Sequence, residues 1–577
     1  MTRLRQVLGE VWTLIRPYWS SEDRWAGWGL LIVVIGLNLG IVYINVLLNQ
    51  WNNAFYNALQ DKDAAVFWSQ LIRFTWLAAL FIVVAVYQLY LNQMLQIRWR
   101  RWLTDRYLRA WLTDRAYYRL QLGGSETDNP DQRIAEDLRL FVAGTLTLGI
   151  GGMRAVVTLL SFLGILWGLS GSMTVPIGAG WTVPGYMVWA ALLYAVAGTW
   201  LTNLIGRPLV RLNFDQQRYE ADFRFGLVRF RENAEGVALY RGEGDELRSF
   251  RDRFGAVVRN WWDIMRQQKR LMWFTAGYAQ AAVIFPFVVA APRYFRGELA
   301  LGGLMQTASA FAQVQDSLSF IITAYTDIAQ WRSVVQRLVG FERALARMKT
   351  EASVAGVRRG TGEGAGLTLD RVDLSLPGGR PLVQGVTLAF QPGDTALISG
   401  PSGAGKSTLF RAIAGIWPFG RGEIRLPQSA RTLFLPQKPY LPIGSLREVV
   451  SYPMPPAGID DVALRDALEA VGLSALAPRL DESAHWALAL SPGEQQRIAF
   501  ARALVQKPDW LFLDEATSAV DEESETRLYA LVRDRLPATT VVSVGHRSTL
   551  RPFHARQLVV TPDGAGAATV REVPATA

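Results

Sequence analysis

The sequence predicts an α-helical six-span transmembrane domain followed by an α/β P-loop domain. Three observations carry that prediction. Six segments before residue 330 are each long and apolar enough to cross a hydrocarbon core, which takes about 20 helical residues. From Leu367 the texture changes to short β-like runs alternating with helices, as in a soluble α/β domain. Within that region the apolar run 394–399 leads into Gly400-Pro401-Ser402-Gly403-Ala404-Gly405-Lys406-Ser407, and the helical stretch 408–415 follows. Strand, glycine-rich loop and helix is the setting the G-x-x-x-x-G-K-[ST] pattern requires. The second region is therefore read as an α/β P-loop nucleotide-binding domain.

Composition agrees with a membrane chain. Half of the 577 residues are apolar, 21 are Trp, and the apolar runs crowd into the first part. The net charge of +10 comes largely from arginines flanking the spans. That is the positive-inside pattern rather than a nucleic-acid footprint, and no nucleic-acid partner is expected. Cysteine is absent, which excludes disulfides and thiolate metal sites, and three histidines leave no His cluster for a metal.

Residues 1–25 place Leu4, Val7, Leu8, Val11, Trp12, Ile15 and Trp19 at helical spacing among Arg3, Arg5 and Arg16. This reads as an amphipathic helix on the membrane surface, with an ordinary surface helix as the alternative. The transmembrane domain is assigned to 26–349, with spans near 27–48, 70–95, 140–169, 184–206, 271–291 and 301–326. Arg98, Arg100, Arg101, Arg106, Arg109, Arg115 and Arg119 fall between the second and third spans, and the charged stretch 207–270 between the fourth and fifth. The short loops near 50–65, 170–183 and 292–300 are poorer in basic residues. Both termini and both long loops are therefore expected in the cytoplasm of a bacterial inner membrane protein. The long loops have a helical pattern, so the second to fifth spans should continue past the lipid. Residues 350–366 have a linker's composition, 367–565 form the soluble domain, and 566–577 read as a frayed tail.

In the soluble domain the glycines let the loop wrap so that its N–H groups and the helix N-terminus face phosphate oxygens. Lys406 should reach the β- and γ-phosphates of a nucleotide, and Ser407 should ligate Mg²⁺. The run Trp510-Leu-Phe-Leu-Asp514-Glu515 is an apolar strand ending in two carboxylates, suited to holding Mg²⁺ and to orienting or deprotonating water. Gln437 follows the run 432–436, where its amide can reach the metal or the attacking water. Leu490-Ser-Pro-Gly-Glu-Gln-Gln-Arg497 opens a helix, and His546 ends the run 541–545. Taken singly, such a Gln or His is more often structural.

Together and in this order, these pieces resemble the nucleotide-binding domain of ABC transporters over residues 367–560. The resemblance implies that Gly400–Thr408 is the Walker A loop (Thr408 closing it), Gln437 the Q-loop glutamine and Asp514 the Walker B aspartate. It implies that Ser491, Gly493 and Glu494 belong to the signature, and that Glu515 is the catalytic base. Asp521 would close the D-loop, and His546 would be the switch histidine. In that family two such domains sandwich two ATP molecules between Walker A and the partner's signature, so one domain per chain implies a homodimer. Two departures stand out. Pro492 replaces the usual first signature glycine and lacks an N–H, and no aromatic residue stands near Leu376 to stack on adenine.

In the membrane half, Asn129-Pro-Asp-Gln-Arg-Ile-Ala-Glu-Asp137 resembles a sequence of the peroxisomal fatty-acyl (subfamily D) transporters and of bacterial relatives with SbmA/BacA-like membrane domains. Stretches 220–225, 231–235 and 238–243 resemble the same group. That group has an exporter-type fold, yet several bacterial members import peptides, cobalamin or other hydrophilic solutes, whereas the peroxisomal members move acyl-CoA. Helical phase adds a separate hint. Asn38, Asn45 and Asn49 share a face of the first span, and Gln88, Asn92 and Gln96 a face of the second. Gln306, Ser309, Gln313, Asp316, Thr323, Asp327 and Gln330 form a stripe along the sixth. Polar groups are costly in hydrocarbon, so the stripes should line a wet cavity or glue helices together. Arg154 also falls inside an apolar span, with no partner legible in sequence.

The function expected is ATP-driven movement of a hydrophilic or amphipathic solute, peptide or cobalamin-like, with uptake as the favoured direction. Two alternatives stay open: a fatty-acyl-CoA or lipid transporter, and an ATP-gated channel or regulatory ABC protein.

Overall fold

The computed structural model describes residues 2–122, 129–174, 182–354, 356–362, 364, 366–428, 430–563 and 567–573. The chain divides into two compact units. The first comprises Met1–Arg109 and Asn129–Glu342, the second Ala110–Asp128 and Arg343–Ala577.

The first unit is helical. It begins with α1 (Thr2–Trp19), α2 (Arg24–Gln60) and α3 (Ala64–Leu112). The short α4 (Ala116–Leu122) belongs to the second unit. α5 (Pro130–Gln132) passes through a π-helical turn, Arg133–Asp137, into α6 (Leu138–Ser170). A hairpin of β1 (Ser172–Thr174) and β2 (Thr182–Pro184) then leads to α7 (Tyr186–Glu232), α8 (Ala234–Tyr240) and α9 (Glu243–Phe295). α10 (Leu301–Thr323) and α11 (Tyr325–Val354) complete the series, separated by a break at Ala324. Among the described residues five helices, α2, α3, the α5–α6 segment, α7 and α9, are long and apolar enough to cross a membrane. α10, the sixth segment expected from sequence, is 23 residues long and is not among those five. Its glutamines and Asp316 make it less apolar than the windows of the other five. α3, α7 and α9 run for 49, 47 and 53 residues, about 70–80 Å at ~1.5 Å per residue. That is more than twice a hydrocarbon core of ~30 Å.

α1 turns one face inward: Val11, Leu14 and Tyr18 are buried, whereas Trp12 is 60% exposed. The Tyr18 ring stacks on Trp99 of α3 at 5.6 Å between centroids, and Trp99 meets Phe141 edge-on at 5.8 Å. Gly27 leaves the room this needs, because a Cβ there would lie 3.0 Å from the Tyr18 ring. Between α2 and α10 runs a ladder of amides. Asn49 donates to the Gln306 carbonyl (3.0 Å), Asn53 to Gln306 Oε1 (2.6 Å), and Gly302 N–H donates to Asn57 Oδ1 (2.8 Å). Asn49 and Gln306 are thus helix glue rather than cavity lining. At the end of the π-helical turn, Asp137 is 1% exposed. It accepts from Arg133 (3.0 Å) and from both Nε and Nη2 of Arg337 (2.9 and 2.6 Å).

The second unit is built on a ten-stranded mixed sheet. Its strands are β3 (Arg358–Gly362), β4 (Leu367–Ser375), β5 (Pro381–Phe390), β6 (Thr395–Ser399), β7 (Gly420–Pro427), β8 (Thr432–Leu435), β11 (Trp510–Asp514), β12 (Thr540–Val544), β13 (Arg556–Pro562) and β14 (Ala568–Val573). They lie in the order β3-β7-β4-β5-β14-β13-β6-β12-β11-β8, with a separate ribbon of β9 (Gly444–Ser445) and β10 (Ser483–Ala484). Two boundaries read from sequence change. The stretch 350–366 is not simply a linker: α11 reaches Val354 and β3 pairs in parallel with β7. The tail at 566–577 contains β14, paired antiparallel to β13 along 568–573. Its alternating Thr569, Val570 and Arg571 suit an added strand, a signal too short to separate from a tail by composition.

The strands β13, β6, β12, β11 and β8 are parallel neighbours. The central three, β6, β12 and β11, are buried on both faces and read in sequence as largely apolar runs. β11 shows why: Leu511 and Leu513 enter one core while Trp510 and Phe512 enter the other, as a two-residue period demands. The helices are α12 (Lys406–Ile413), α13 (Leu446–Ser451), α14 (Asp461–Ala470), α15 (Trp486–Ala489), α16 (Pro492–Gln506) and α17 (Glu522–Arg535). Register puts Asp514 beside Val544 and Leu513 beside Leu435. The carboxyl ends of β6, β12, β11 and β8 therefore come out together, which is where open α/β sheets place their ligands.

Candidate ATP site

The loop after β6 is held tightly against the sheet. Gly405 has φ +94°, and a Cβ there would lie 2.6 Å from Val383 Cγ2; Gly400 has φ +147° and no room beside the Val560 carbonyl. Only glycine tolerates both demands. Ser402 and Gly403 form the outer turn, Ala404 is buried, and Ala404 N–H donates to the Pro401 carbonyl at 3.4 Å. Lys406 opens α12 and is 8% exposed, its Nζ donating to the carbonyls of Gly400 and Pro401, both at 2.8 Å. The ammonium is thus parked inside the loop that a phosphate would occupy. Thr408 is buried in the first turn of α12.

Ser407 Oγ donates to Asp514 Oδ1 at 2.9 Å. Burial pushes the Asp514 carboxyl above the usual aspartate range, the Ser407 bond opposes that, and neighbouring Glu515 adds to it. Glu515 takes a left-handed backbone, φ +48°, with its N–H donating to the Val544 carbonyl at 3.1 Å. Such strain at a non-glycine residue persists only where the surroundings over-determine it. Gln437 Nε2 donates to Glu515 Oε2 at 3.3 Å. Ser407, Asp514, Glu515 and Gln437, scattered over more than a hundred positions, are thus one connected cluster. Hydroxyl, carboxylate and amide oxygens are the donor set a hard cation takes, and the cluster fits Mg²⁺.

The signature residues start α16. Ser491 is its N-cap: Ser491 Oγ accepts from Glu494 N–H at 3.3 Å, while Ser491 N–H and O–H both donate to Glu494 Oε2 at 2.8 Å. These bonds hold the Glu494 carboxyl below the usual glutamate range. Pro492 takes the first helical position, where an N–H has no intrahelical partner in any case, so the helix start is intact. Gly493 is packed close, since a Cβ would lie 3.0 Å from the Ala519 carbonyl. Asp521 caps α17, accepting from Ser524 N–H at 2.8 Å. His546 is exposed just beyond β12. Leu376 lies in the turn between β4 and β5, where its N–H donates to the Arg380 carbonyl at 2.9 Å. Leu382, just beyond, lies against Gly405.

Three residues that motif reading missed tie these pieces together. Gln496, 2% exposed, donates to the Gln437 carbonyl (2.8 Å) and Ser518 Oγ (3.1 Å), and accepts from Ala519 N–H (2.9 Å). Arg547 donates to the Val520 carbonyl at 2.9 Å and pairs with buried Glu525 at 3.5 Å. Glu525 in turn accepts from Thr517 at 2.6 Å and also from Thr549. No local pattern marks Gln496, because its partners lie on loops far away in sequence.

The membrane half places the other predicted residues variously. Asn38 is 2% exposed and donates to the Val34 carbonyl at 2.8 Å, so it is packed inside the bundle rather than open to a cavity. Asn45, Gln88, Asn92 and Gln313 are half-buried, and Asn92 Oδ1 is buried without a hydrogen-bond partner. Asp316 is exposed.

Both halves match known families. Residues 14–295 match the family described as ABC transporter transmembrane region 2, and residues 383–518 the family described as ABC transporter. Inner membrane ABC transporter ATP-binding protein YddA of Escherichia coli (strain K12) is 34% identical, over 94% of this chain and 96% of that protein. ABC transporter D family member 2, chloroplastic, of Arabidopsis thaliana is 32% identical over 97% and 87%, respectively. Lysosomal cobalamin transporter ABCD4 of Homo sapiens is 28% identical over 96% and 94%. Among solved structures, a bacterial Atm1-family ABC exporter with ATP bound superposes with a TM-score of 0.73 at 19% identity, covering 95% of each chain. The chain belongs to the ABC transporter family, as a half-transporter of exporter-type fold related to subfamily D. It is a membrane-spanning ATPase whose ATP hydrolysis is coupled to transport.

Proposed function

We propose that the chain works as a homodimer in a bacterial inner membrane, with both termini cytoplasmic, and uses ATP to take up a hydrophilic or amphipathic solute. The observation that carries the cargo reading is the exposed face of α10. There Ala312 and Asp316 are open, flanked by half-buried Ser309 and Gln313, while Leu304, Ala310, Phe311 and Val314 are buried. An acyl chain needs no such polar face. Half-buried Asn45, Gln88 and Asn92 support the same reading. The relative named as a cobalamin transporter points to one solute of suitable chemistry.

At the nucleotide, loop N–H groups from Gly400 to Thr408 and the Lys406 ammonium bind the phosphates, Lys406 exchanging its two carbonyl partners for them. Ser407, Asp514 and Gln437 would hold Mg²⁺, which when bound would neutralise phosphate charge. Glu515, steered by Gln437, takes the proton of the attacking water, and His546 faces the γ-phosphate. Ser491, Gly493, Glu494 and Asp521 of the partner close the second side of the ATP. Closure brings the two soluble domains together, and release after hydrolysis resets the spans.

The test is uptake by proteoliposomes holding the purified protein, supplied with ATP and, in parallel, a labelled tripeptide, cobalamin or acyl-CoA. Accumulation of a polar solute that stops in Glu515→Gln supports the reading. Movement of acyl-CoA alone would replace it with lipid transport, and ionic conductance without coupled hydrolysis would replace it with a channel.

A further inference from the structure

Arg154 sits at the midpoint of α6, sixteen residues from either end, and is the sole charged residue of that helix after Arg139. It is exposed, and among the described residues it has no ion-pair partner. α6 presents two open faces. Val156, Leu160 and Trp167, at 56, 66 and 49% exposure, make one that suits lipid. Thr147 and Arg154, stacked seven residues apart, mark the other. At ~100° per residue Arg154 is turned about 200° from Val156, so the guanidinium leaves the helix away from the lipid-suited face.

The depth and direction of that second face follow from the contacts of α6. A Cβ on Gly144 would lie 2.7 Å from the Trp331 ring, and one on Gly151 3.1 Å from Phe320. Trp331 belongs to α11 and Phe320 to α10. Farther along α6, Phe162 and Leu166 share a core cluster with Ala310, Phe311 and Val314 of α10. Partner numbers thus fall as α6 numbers rise, so α6 and α10 run antiparallel. Arg154, one turn beyond Gly151, therefore stands level with Asp316, one turn before Phe320. From the contact line Arg154 is rotated by about −60° and Asp316 by about −40°. In antiparallel helices, equal signs carry both residues to the same side of the seam. Asp316 lies on the open face of α10 and likewise has no ion-pair partner among the described residues. Two unpaired charges of opposite sign thus share one depth and one side, where bare exposure to lipid is costly.

We propose that Arg154 and Asp316 are the two poles of a cargo site for a zwitterionic solute, Arg154 taking its carboxylate and Asp316 its ammonium group. The assignment rests on the transport reading above and names its substrate class. Arg is the side chain best shaped for a carboxylate, through two parallel N–H···O bonds.

The experiment uses the full-length protein in proteoliposomes with trialanine, its N-acetylated form and its C-terminal amide as probes. Uptake and the KM for stimulated ATP turnover are both read. The wild type should prefer trialanine over either blocked form by roughly tenfold, the size of one lost charge-assisted bond. Arg154→Gln should erase the preference for the free carboxylate and keep that for the free amine; Asp316→Asn should do the reverse. If both variants weaken all three probes equally, the two charges serve each other and the proposal is overturned. It is equally overturned if the wild type ignores all three probes while carrying another polar solute. A wild type that turns over ATP and moves no solute would instead remove the transport reading itself.

Discussion

Gln496 donates to the main-chain carbonyl of Gln437 at 2.8 Å, and the side chain of Gln437 donates to Glu515 at 3.3 Å. The helix that begins at Ser491 is thereby linked through two amides to the carboxylate proposed as base. Gln496→Leu removes that link and strands the Ala519 N–H, a loss of about 1–3 kcal/mol. Turnover should fall roughly tenfold or more, while ATP affinity, read by nucleotide fluorescence, stays close to wild type. Unchanged kcat would show that Gln437 holds its place without Gln496.

Glu515→Gln keeps the shape of the site and removes the proton acceptor. Steady-state phosphate release should drop by at least ~100-fold, within the range general base catalysis supplies. ATP binding should persist, and the protein should accumulate in a closed, dimeric form visible by crosslinking. Phosphate release at the wild-type rate would remove Glu515 from the chemistry.

Asp137 is buried between Arg133 and Arg337, joining the start of α6 to α11. Asp137→Asn leaves two arginines facing a neutral amide. Breaking a buried pair from one side costs about 3–5 kcal/mol, so the melting temperature in detergent should fall by several degrees. Asp137→Glu should recover part of the loss. A melting curve that does not move with Asp137→Asn would show the cluster to be solvated.

His554 is 4% exposed. Its Nδ1–H donates to the Leu550 carbonyl, and its Nε2 accepts from Ser543, both at 2.8 Å, a network that assigns the neutral ring. Burial holds its pKa below the ordinary histidine value of 6.5. The unfolded chain therefore takes up this proton at higher pH than the folded one. Stability from this group is present above pH ~6.5 and is lost as pH falls through the folded value. Thermal unfolding should move to lower temperature between pH 7.5 and 5.5, and His554→Gln should flatten that slope. An identical slope in the variant would assign the acid sensitivity elsewhere.

Much of the nucleotide site was legible because each piece is local. A loop such as 400–407 must carry glycine where φ is positive and Lys where phosphate lies, and buried parallel strands must be apolar throughout. Gln496, Arg547 and Glu525 were not legible, since each acts on groups that only the sheet order brings near. The polar stripes were legible as stripes, yet sequence could not separate the two jobs polar groups do in lipid. Asn49 and Gln306 bind helix to helix, Asn38 satisfies its own backbone, and Asp316 stays open.

The order of residues by itself determined which segments are apolar enough to enter lipid, where the P-loop lies and which strands carry the site's carboxylates, because these depend on composition and spacing along a few turns of chain. Only the tertiary structure decided which polar groups are spent on one another and which remain free. That outcome depends on helix phase and strand register acting across hundreds of residues, where a rotation of one position changes a side chain's neighbours entirely.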